Sequence, residues 1–370
     1  LEAIGRRDWI ARDAAGYVDT ACRIAADLPA LRTVRATLRG EVARSPFVDG
    51  RRVASQIEAF CRQVKPHCDS LHGAKDAKAA ARLHAAWELE GWLERETATI
   101  QLPAPAFDPD LSVVIVLYNQ AGLTRRALQS LVDQAGPTFE TVIIDNASRD
   151  RTRALLARVQ GARVVHHANN VGFLRAANAG AARTRGRHLL FLNNDTVLHP
   201  GALAAACAAL DADPTLGAVG ARVVLGDGTL QEAGNRVFRD GSTLGIGRGE
   251  DPFCPAAQAQ RTTDFCSGAF LATPRATWDR LGGFDEAYAP AHFEDADYCL
   301  RVWKAGLRVL YEPRALIEHL EWGSAVEGEA ARLLVHNRDL FRRNHAAFLA
   351  GQPPVRRERL DGDRWRSPED

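Results

Sequence analysis

Val113-Val114-Ile115-Val116-Leu117-Tyr118 is an unbroken run of β-branched and aliphatic residues closed by an aromatic one. A strand with one wet face alternates apolar and polar positions. A run without alternation fits a strand buried on both faces, as in a parallel sheet covered by helices. The chain after it keeps that rhythm. An amphipathic helix is expected from Leu123 to Gln134, then a second buried strand, Thr141-Val142-Ile143-Ile144-Asp145. Helix 150–160, strand Arg163 to His166, helix 173–185 and strand His188 to Leu192 follow, then helix 200–212 with Pro200 near N1 and strand Ala218 to Leu225. Strands alternating with helices at this spacing predict an α/β fold with a doubly wound, mostly parallel sheet. Residues 226–262, rich in Gly and polar side chains, read as a hairpin or excursion loop. Residues 264–322 return to short strands and one helix near 294–306.

The chain ahead of this pattern has another character. Tyr17, Ala21, Ile24, Ala25 and Leu28 recur at three- and four-residue steps, which places them on one helical face. Pro29, Ser45-Pro46 and Lys65-Pro66 punctuate short helices, and Ala77 to Glu96 reads as one longer helix. The stretch Leu102-Pro103-Ala104-Pro105-Ala106-Phe107-Asp108-Pro109 cannot be helical. The expected organisation is an all-helical segment at 1–102, a linker at 103–110, the α/β domain at 111–350 and a flexible Arg-, Asp- and Pro-rich tail at 351–370.

Of the 370 residues, 46% are hydrophobic and 25% charged, and the formal net charge is +1. Duplex binding draws on a strong basic excess, so this balance excludes nucleic acid as an expected partner. Seven cysteines without a C-x-x-C pair suggest reduced thiols, mostly buried, and a cytoplasmic setting. No apolar run of about 18 residues occurs, so no transmembrane helix is expected. The chain lacks Met even at position 1, which suggests a piece of a longer protein.

In open α/β sheets, ligands sit beyond the carboxyl ends of the strands. Those ends read Tyr118-Asn119, Asp145-Asn146-Ala147-Ser148, His167-Ala168-Asn169-Asn170-Val171-Gly172-Phe173 and Asn193-Asn194-Asp195. Any one of them is explained as a helix cap; four in succession point to a polar ligand. The first turn, Tyr118-Asn119-Gln120-Ala121-Gly122, holds a single glycine. It lacks the G-x-G-x-x-G of a dinucleotide site, and no P-loop occurs, so neither class of ligand is expected.

Together the motifs Val114 to Asn119, Ile144 to Ser148, Asn170-Val-Gly-Phe173, Phe191-Leu-Asn-Asn-Asp-Thr196, Gly282-Gly-Phe-Asp-Glu286 and Phe293-Glu-Asp-Ala-Asp297 resemble glycosyltransferase family 2 over about residues 110–325. The resemblance implies the GT-A fold of nucleotide-diphospho-sugar transferases and an inverting transfer from a nucleoside-diphosphate sugar, UDP- or dTDP-linked, to a saccharide or lipid-linked saccharide, as in bacterial surface polysaccharide assembly. It also implies a metal cofactor, Mg²⁺ or Mn²⁺. Asp195, last acid of a D-x-D-like triplet here reduced to Asn193-Asn194-Asp195, would be the metal ligand, with His319 completing the coordination. Alone, His319 reads as a packed strand-end histidine; beside Asp195 that reading and the ligand reading both stand. Acids in the first turn of a helix suit its dipole, yet Glu294-Asp295-Ala296-Asp297 exceeds what a cap requires. By resemblance Asp295 is the catalytic base, with Glu294 and Asp297 positioning it or, for Asp297, contacting the acceptor. Tyr118, Asn119, Asp145, Asn170, Gly172, Phe173, Asn178, Asn193, Asn194 and Gly268 would line the donor. Trp322 either stacks on an acceptor sugar or packs. The family's activity is compatible with peripheral association at the inner face of a membrane.

Residues 10–64 also resemble the C-terminal tail of family 41, O-GlcNAc-transferase-like enzymes, through Ile10-Ala11-Arg12, Tyr17, Leu31, Arg35, Ser45-Pro46-Phe47 and Ile57-Glu58. That implies an upstream GT-B-like module and prompts an alternative in which the acceptor is a protein. The reduced triplet prompts another: a catalytically weak, sugar-nucleotide-binding scaffold.

Overall fold

The computed structural model describes residues 6–11, 14–43, 45, 55, 57–59, 61, 65, 77–321 and 327–355. Pro46, Phe47, Trp322 and the tail beyond 355 lie outside the described residues. The chain divides into two compact units, Leu1–Lys75 and Asp76–Asp370. In the first unit, helices α1 (Ala14–Ala26) and α2 (Leu28–Ala43) are in contact. Arg6 clamps Glu41 through bonds of 2.7 and 2.8 Å, with its guanidinium over the Trp9 ring.

The second unit begins with helix α3 (Ala77–Leu93) and short strand β1 (Ile100–Gln101). Strand β2 (Leu111–Leu117), helix α4 (Ala121–Val132), β3 (Phe139–Asp145), short helix α5 (Thr152–Leu156), β4 (Val159–Gln160), β5 (Ala162–His166), α6 (Phe173–Ala181) and β6 (His188–Asn193) follow. After them come β7 (Thr196–Leu198), α7 (Ala202–Ala212), β8 (Leu216–Leu225), β9 (Leu230–Ala233), β10 (Asn235–Val237), β11 (Thr243–Gly245), α8 (Pro255–Gln258) and β12 (Arg261–Thr262). The chain closes with β13 (Phe270–Pro274), α9 (Arg275–Leu281), α10 (Glu294–Lys304), β14 (Arg308–His319), α11 (Glu327–Asn344) and α12 (Ala346–Ala350).

The boundary between units falls before α3, not at the Pro-rich linker. Leu89 and Leu93 of α3 enter the main core, Ala85 packs on Leu123, and Glu88 binds Arg125 and Arg126 at 3.0 Å each. The linker is itself anchored, because Leu102 is buried and its amide donates to the Gln160 carbonyl at 2.9 Å. The expected helix 150–160 stops at Leu156, where the chain turns into β4 to pair with β1. Pro200 lies ahead of α7 instead of at its first position; Gly201 caps the helix at φ 87°.

The central sheet runs β12-β14-β8-β13-β6-β2-β3-β5. Its half from β6 to β5 is parallel, as the unbroken apolar runs require. Burial on both faces is visible within single strands. Val113, Ile115 and Leu117 join one core with α4 and α7, while Val114 and Val116 join the other with α6 and α10. The sheet as a whole is mixed. β13 lies antiparallel between β6 and β8, and β9 folds back on β8, while β14 runs parallel to β8, so the expected mostly parallel sheet is interrupted by β13 and its antiparallel additions. The excursion at 226–262 is this β9 return, a β10–β11 hairpin and α8. Cys207, Cys266 and Cys299 are buried, whereas Cys22 and Cys61 are exposed, against the expectation of mostly buried thiols. No helix among the described residues is long and apolar enough to cross a membrane.

Candidate active site

Backbone strain concentrates at the carboxyl edge of the sheet. Asn119, Gln120, Ala147, His292, Phe293 and Glu321 all take positive φ, and all lie in loops at or beside that edge. Such conformations persist only where surrounding bonds over-determine them. Asn119 is fixed by its amide on Ser148 Oγ at 2.8 Å and by its Oδ1, which accepts the Arg149 amide at 2.8 Å. Asn194 donates to Thr124 Oγ1 at 3.0 Å, tying the end of β6 to α4. Asp145 accepts the Ser148 amide at 2.9 Å and pairs with His166 Nδ1 at 2.8 Å. Burial opposes its charge, but these bonds win and hold its carboxyl below the usual range. Tyr118 is half-buried beside these groups.

Two residues expected at the donor serve the scaffold. Asn178 spends its side chain on the Phe284 backbone, donating to the carbonyl at 2.9 Å and accepting from the amide at 3.1 Å. Asn170 Oδ1 accepts from Asn146 Nδ2 at 2.7 Å and from the Gly172 amide at 2.9 Å, which closes the loop entering α6. Gly172 sits at φ 86°, and a Cβ there would come within 2.5 Å of Pro290 Cβ, so a glycine is required by the neighbouring loop. Phe173 opens α6 with its ring toward Gly268.

Asp195 and His319 do meet. His319 Nε2 stands 3.3 Å from Asp195 Oδ1, both side chains are buried, and strands β14 and β7 set the spacing by pairing His319 with Thr196. His319 Nδ1 contacts Gln231 Oε1 at 2.9 Å, an oxygen that can only accept, so Nδ1 carries the proton. Nε2 then turns a lone pair toward a carboxylate, an arrangement that asks for a proton or a cation between them. Burial lowers the His319 pKa, yet the Asp195 charge outweighs it and the net shift is upward. Asn193 Nδ2 lies 3.3 Å from the same nitrogen. One carboxylate and one oriented imidazole suit a divalent cation. Among the described residues no group of three or more acids, histidines or cysteines is arranged to hold one, so further ligands would come from elsewhere.

Helix α10 begins with Glu294 and Asp295. Asp295 Oδ2 accepts the Gly268 amide at 2.9 Å and Oδ1 the Ala296 amide at 2.8 Å. Burial pushes its pKa up, while the two amides favour the ionised form. Glu294 is also buried, and its Oε2 has no partner, so burial and the Asp295 charge push its pKa up further. The pair therefore splits, Glu294 taking the proton first and Asp295 remaining the carboxylate. The left-handed residues His292 and Phe293 just ahead are clamped from α11. Asn337 Nδ2 lies 2.9, 2.9 and 3.0 Å from the carbonyls of Tyr288, Ala291 and His292.

Asp297 does not face an acceptor. It is 2% exposed, with Oδ1 at 2.8 Å from His345 Nε2 and Oδ2 accepting Arg301 Nε at 2.7 Å. Its expected acceptor contact gives way to the positioning role: it fastens α10 to the C-terminal helices. Side chains that sequence reasoning missed include Gln231, Glu232, Asn337 and His345. Glu232, buried on β9, has its pKa pushed up to about 7, chiefly by burial. None of them sits at the end of an apolar run, the one signal available.

The fold thus combines a parallel half-sheet, an acid–histidine pair at its carboxyl edge and a half-buried carboxylate at a helix start. Residues 112–276 match the family model described as Glycosyl transferase family 2, and the chain carries a glycosyltransferase family 2 domain. A pre-mycofactocin glycosyltransferase of Mycobacterium tuberculosis is 30% identical over 230 residues, 60% of this chain and 46% of that protein. The Sinorhizobium fredii protein y4gI is 28% identical over 58% of this chain and 25% of its own length. The chain thus spans a quarter to about half of these two relatives. An N-acetylglucosaminyl-diphospho-decaprenol L-rhamnosyltransferase of M. tuberculosis is 26% identical over 62% of this chain and 82% of that protein. Among solved structures, a Pyrobaculum calidifontis mannosyltransferase in complex with GDP-Man and Mn²⁺ is 21% identical with a TM-score of 0.47, covering 77% of each chain.

Proposed function

We propose that the chain transfers a sugar, with inversion, from a nucleoside-diphosphate sugar to a saccharide or lipid-linked saccharide in surface polysaccharide assembly. What supports this reading is the presence of two centres: Asp195 with His319 at the end of β14, and Asp295, held by two amides, at the start of α10. Inverting transfer needs charge neutralisation behind the leaving group and a base in front of the anomeric carbon. Asp195 and His319 would hold Mg²⁺ or Mn²⁺, which would supply the neutralisation. Asp295 takes the proton of the attacking hydroxyl, and burial that raises its affinity for a proton makes it a better base. Glu294, protonated first, keeps a second negative charge out of the cleft. Asp145, Tyr118, Asn119 and Asn194 line the nucleotide end, and Gly268 with Phe173 the sugar end.

The names of the relatives support a lipid-linked acceptor, and with it work at a membrane surface. A thermal-shift screen of UDP-, dTDP- and GDP-sugars with and without Mn²⁺ tests the donor. A ligand at about 100 times its Kd adds about 2.7 kcal/mol to apparent stability. Asp295→Asn should abolish transfer while leaving the donor-dependent shift intact; wild-type turnover in this variant would sink the base assignment.

A further inference from the structure

Strand β9 carries Gln231 and Glu232, adjacent residues that a regular strand would send to opposite faces. The register with β8 slips between them and their neighbours: Val223 pairs with Glu232, but Val224 pairs with Leu230, so Gln231 is an extra, bulged residue. A bulge re-aims side chains, and bulges collect next to active sites. Both residues are 6% exposed, and both reach the site described above. Gln231 Oε1 sits 2.9 Å from His319 Nδ1. Glu232 Oε1 accepts the Ser267 amide at 3.4 Å, and the next amide in the chain, that of Gly268, is the one that holds Asp295 Oδ2 at 2.9 Å. The consecutive amides of one turn are thus each taken by a carboxylate, the buried Glu232 first and the half-buried Asp295 second. A Cβ added at Gly245 would lie 3.1 Å from Glu232 Cβ, so the β11 backbone runs close beside that side chain.

We infer that the β9 bulge makes Gln231 and Glu232 a positioning pair, Gln231 fixing the His319 ring for a cation and Glu232 fixing the Ser267-Gly268 turn for the base. This rests on the glycosyltransferase reading of the site and extends it to residues outside the motifs. A single strand then sets the distance between the two halves of the reaction. Neither residue touches the reacting atoms. Gln231 acts by holding the proton on Nδ1, which presents Nε2 to the cation, and orienting partners of this kind are worth about 10- to 100-fold in metal affinity.

The test uses the full chain and two readouts besides activity. Nitrogen NMR of the histidine rings, with His319 assigned by its absence in His319→Ala, reports the tautomer without any metal. At a pH high enough for the ring to be neutral, the wild type should show the Nδ1–H form; Gln231→Met, matched in length, should lose that preference, and Gln231→Glu should keep it. Mn²⁺ binding measured by electron paramagnetic resonance in the presence of UDP or dTDP should weaken about 10- to 100-fold in Gln231→Met. It should tighten in Gln231→Glu, which keeps the test alive if the methionine variant does not fold. Amide exchange at Ser267 and Gly268 should rise in Glu232→Ala and return to the wild-type rate in Glu232→Gln, whose oxygen still accepts. An Nε2–H tautomer in the wild type, or exchange unchanged in Glu232→Ala, overturns the pairing. Asp195→Asn separates the two levels: wild-type Mn²⁺ affinity there defeats the cation site itself, while the tautomer and exchange results still judge the pair.

Discussion

Replacing Asp297 with alanine separates a structural ion pair from an acceptor contact. The carboxylate is 2% exposed and bound to His345 and Arg301, whose side chains are 7% and 22% exposed. Breaking a buried pair by removing one partner costs about 3–5 kcal/mol, because the other charge stays buried. Arg301 retains the Leu281 and Gly283 carbonyls at 2.8 and 2.7 Å, so the cost should fall at the lower end, about 3 kcal/mol. For a unit of this size that is roughly 6 °C in Tm, at about 2 °C per kcal/mol. Thermal unfolding followed by circular dichroism at pH 7 measures it. The pH dependence carries a sign of its own. Burial alone would raise the Asp297 pKa, but His345 and Arg301 bring it below its ordinary 3.8. A depressed carboxyl contributes stability that is present above its unfolded value and lost as the pH falls through the folded one. The gap between wild type and variant should therefore be constant above about pH 5 and close only below about pH 4. A Tm change under about 1 °C, with the acceptor KM raised instead, would refute the structural assignment.

Three further outcomes follow from the same geometry. Gly172→Ala forces a Cβ against Pro290 in a backbone region that only glycine tolerates, so unfolding free energy should drop by about 2 kcal/mol or more, read from urea midpoints. Gly268→Ala should leave stability within about 0.5 kcal/mol, because the added methyl meets nothing closer than 3.8 Å. Its donor-dependent thermal shift should shrink all the same, since the methyl enters the space reserved for the sugar; an unchanged shift removes Gly268 from the donor site. Asn178→Ala strands the amide and carbonyl of Phe284 and should cost about 1–3 kcal/mol in the same urea titration without altering donor affinity at saturating stability.

The parallel half of the sheet was legible because strands buried on both faces write themselves as unbroken apolar runs, and Val113 to Leu117 is such a run. Asp195, His319 and Asp295 could be singled out in the sequence because they stand at the ends of regular elements, Asp195 just after β6, His319 last in β14 and Asp295 in the first turn of α10. The antiparallel entry of Phe270–Pro274 was not legible, since nothing in Phe-Leu-Ala-Thr-Pro records which way the strand runs. Gln231 and Glu232 were hidden because a bulge alters side-chain direction without altering composition. Asn178 and Asp297 misled for the opposite reason. Both belong to motifs that mark a site, yet their partners, Phe284, Arg301 and His345, are tertiary and have no local signature.

One amide in α11 has an effect at a distance. Asn337 spans three carbonyls of the loop that carries the chain into Glu294 and Asp295. The family match ends at residue 276, ahead of that loop, the base and the clamp alike. The loop and its clamp thus lie beyond the matched residues, as does His319, while Asp195 and Gly268 lie within them. Substitutions at Asn337 should therefore shift Glu294 and Asp295 through this loop while the strand ends at Asn119, Asp145 and Asn194 keep their own bonds.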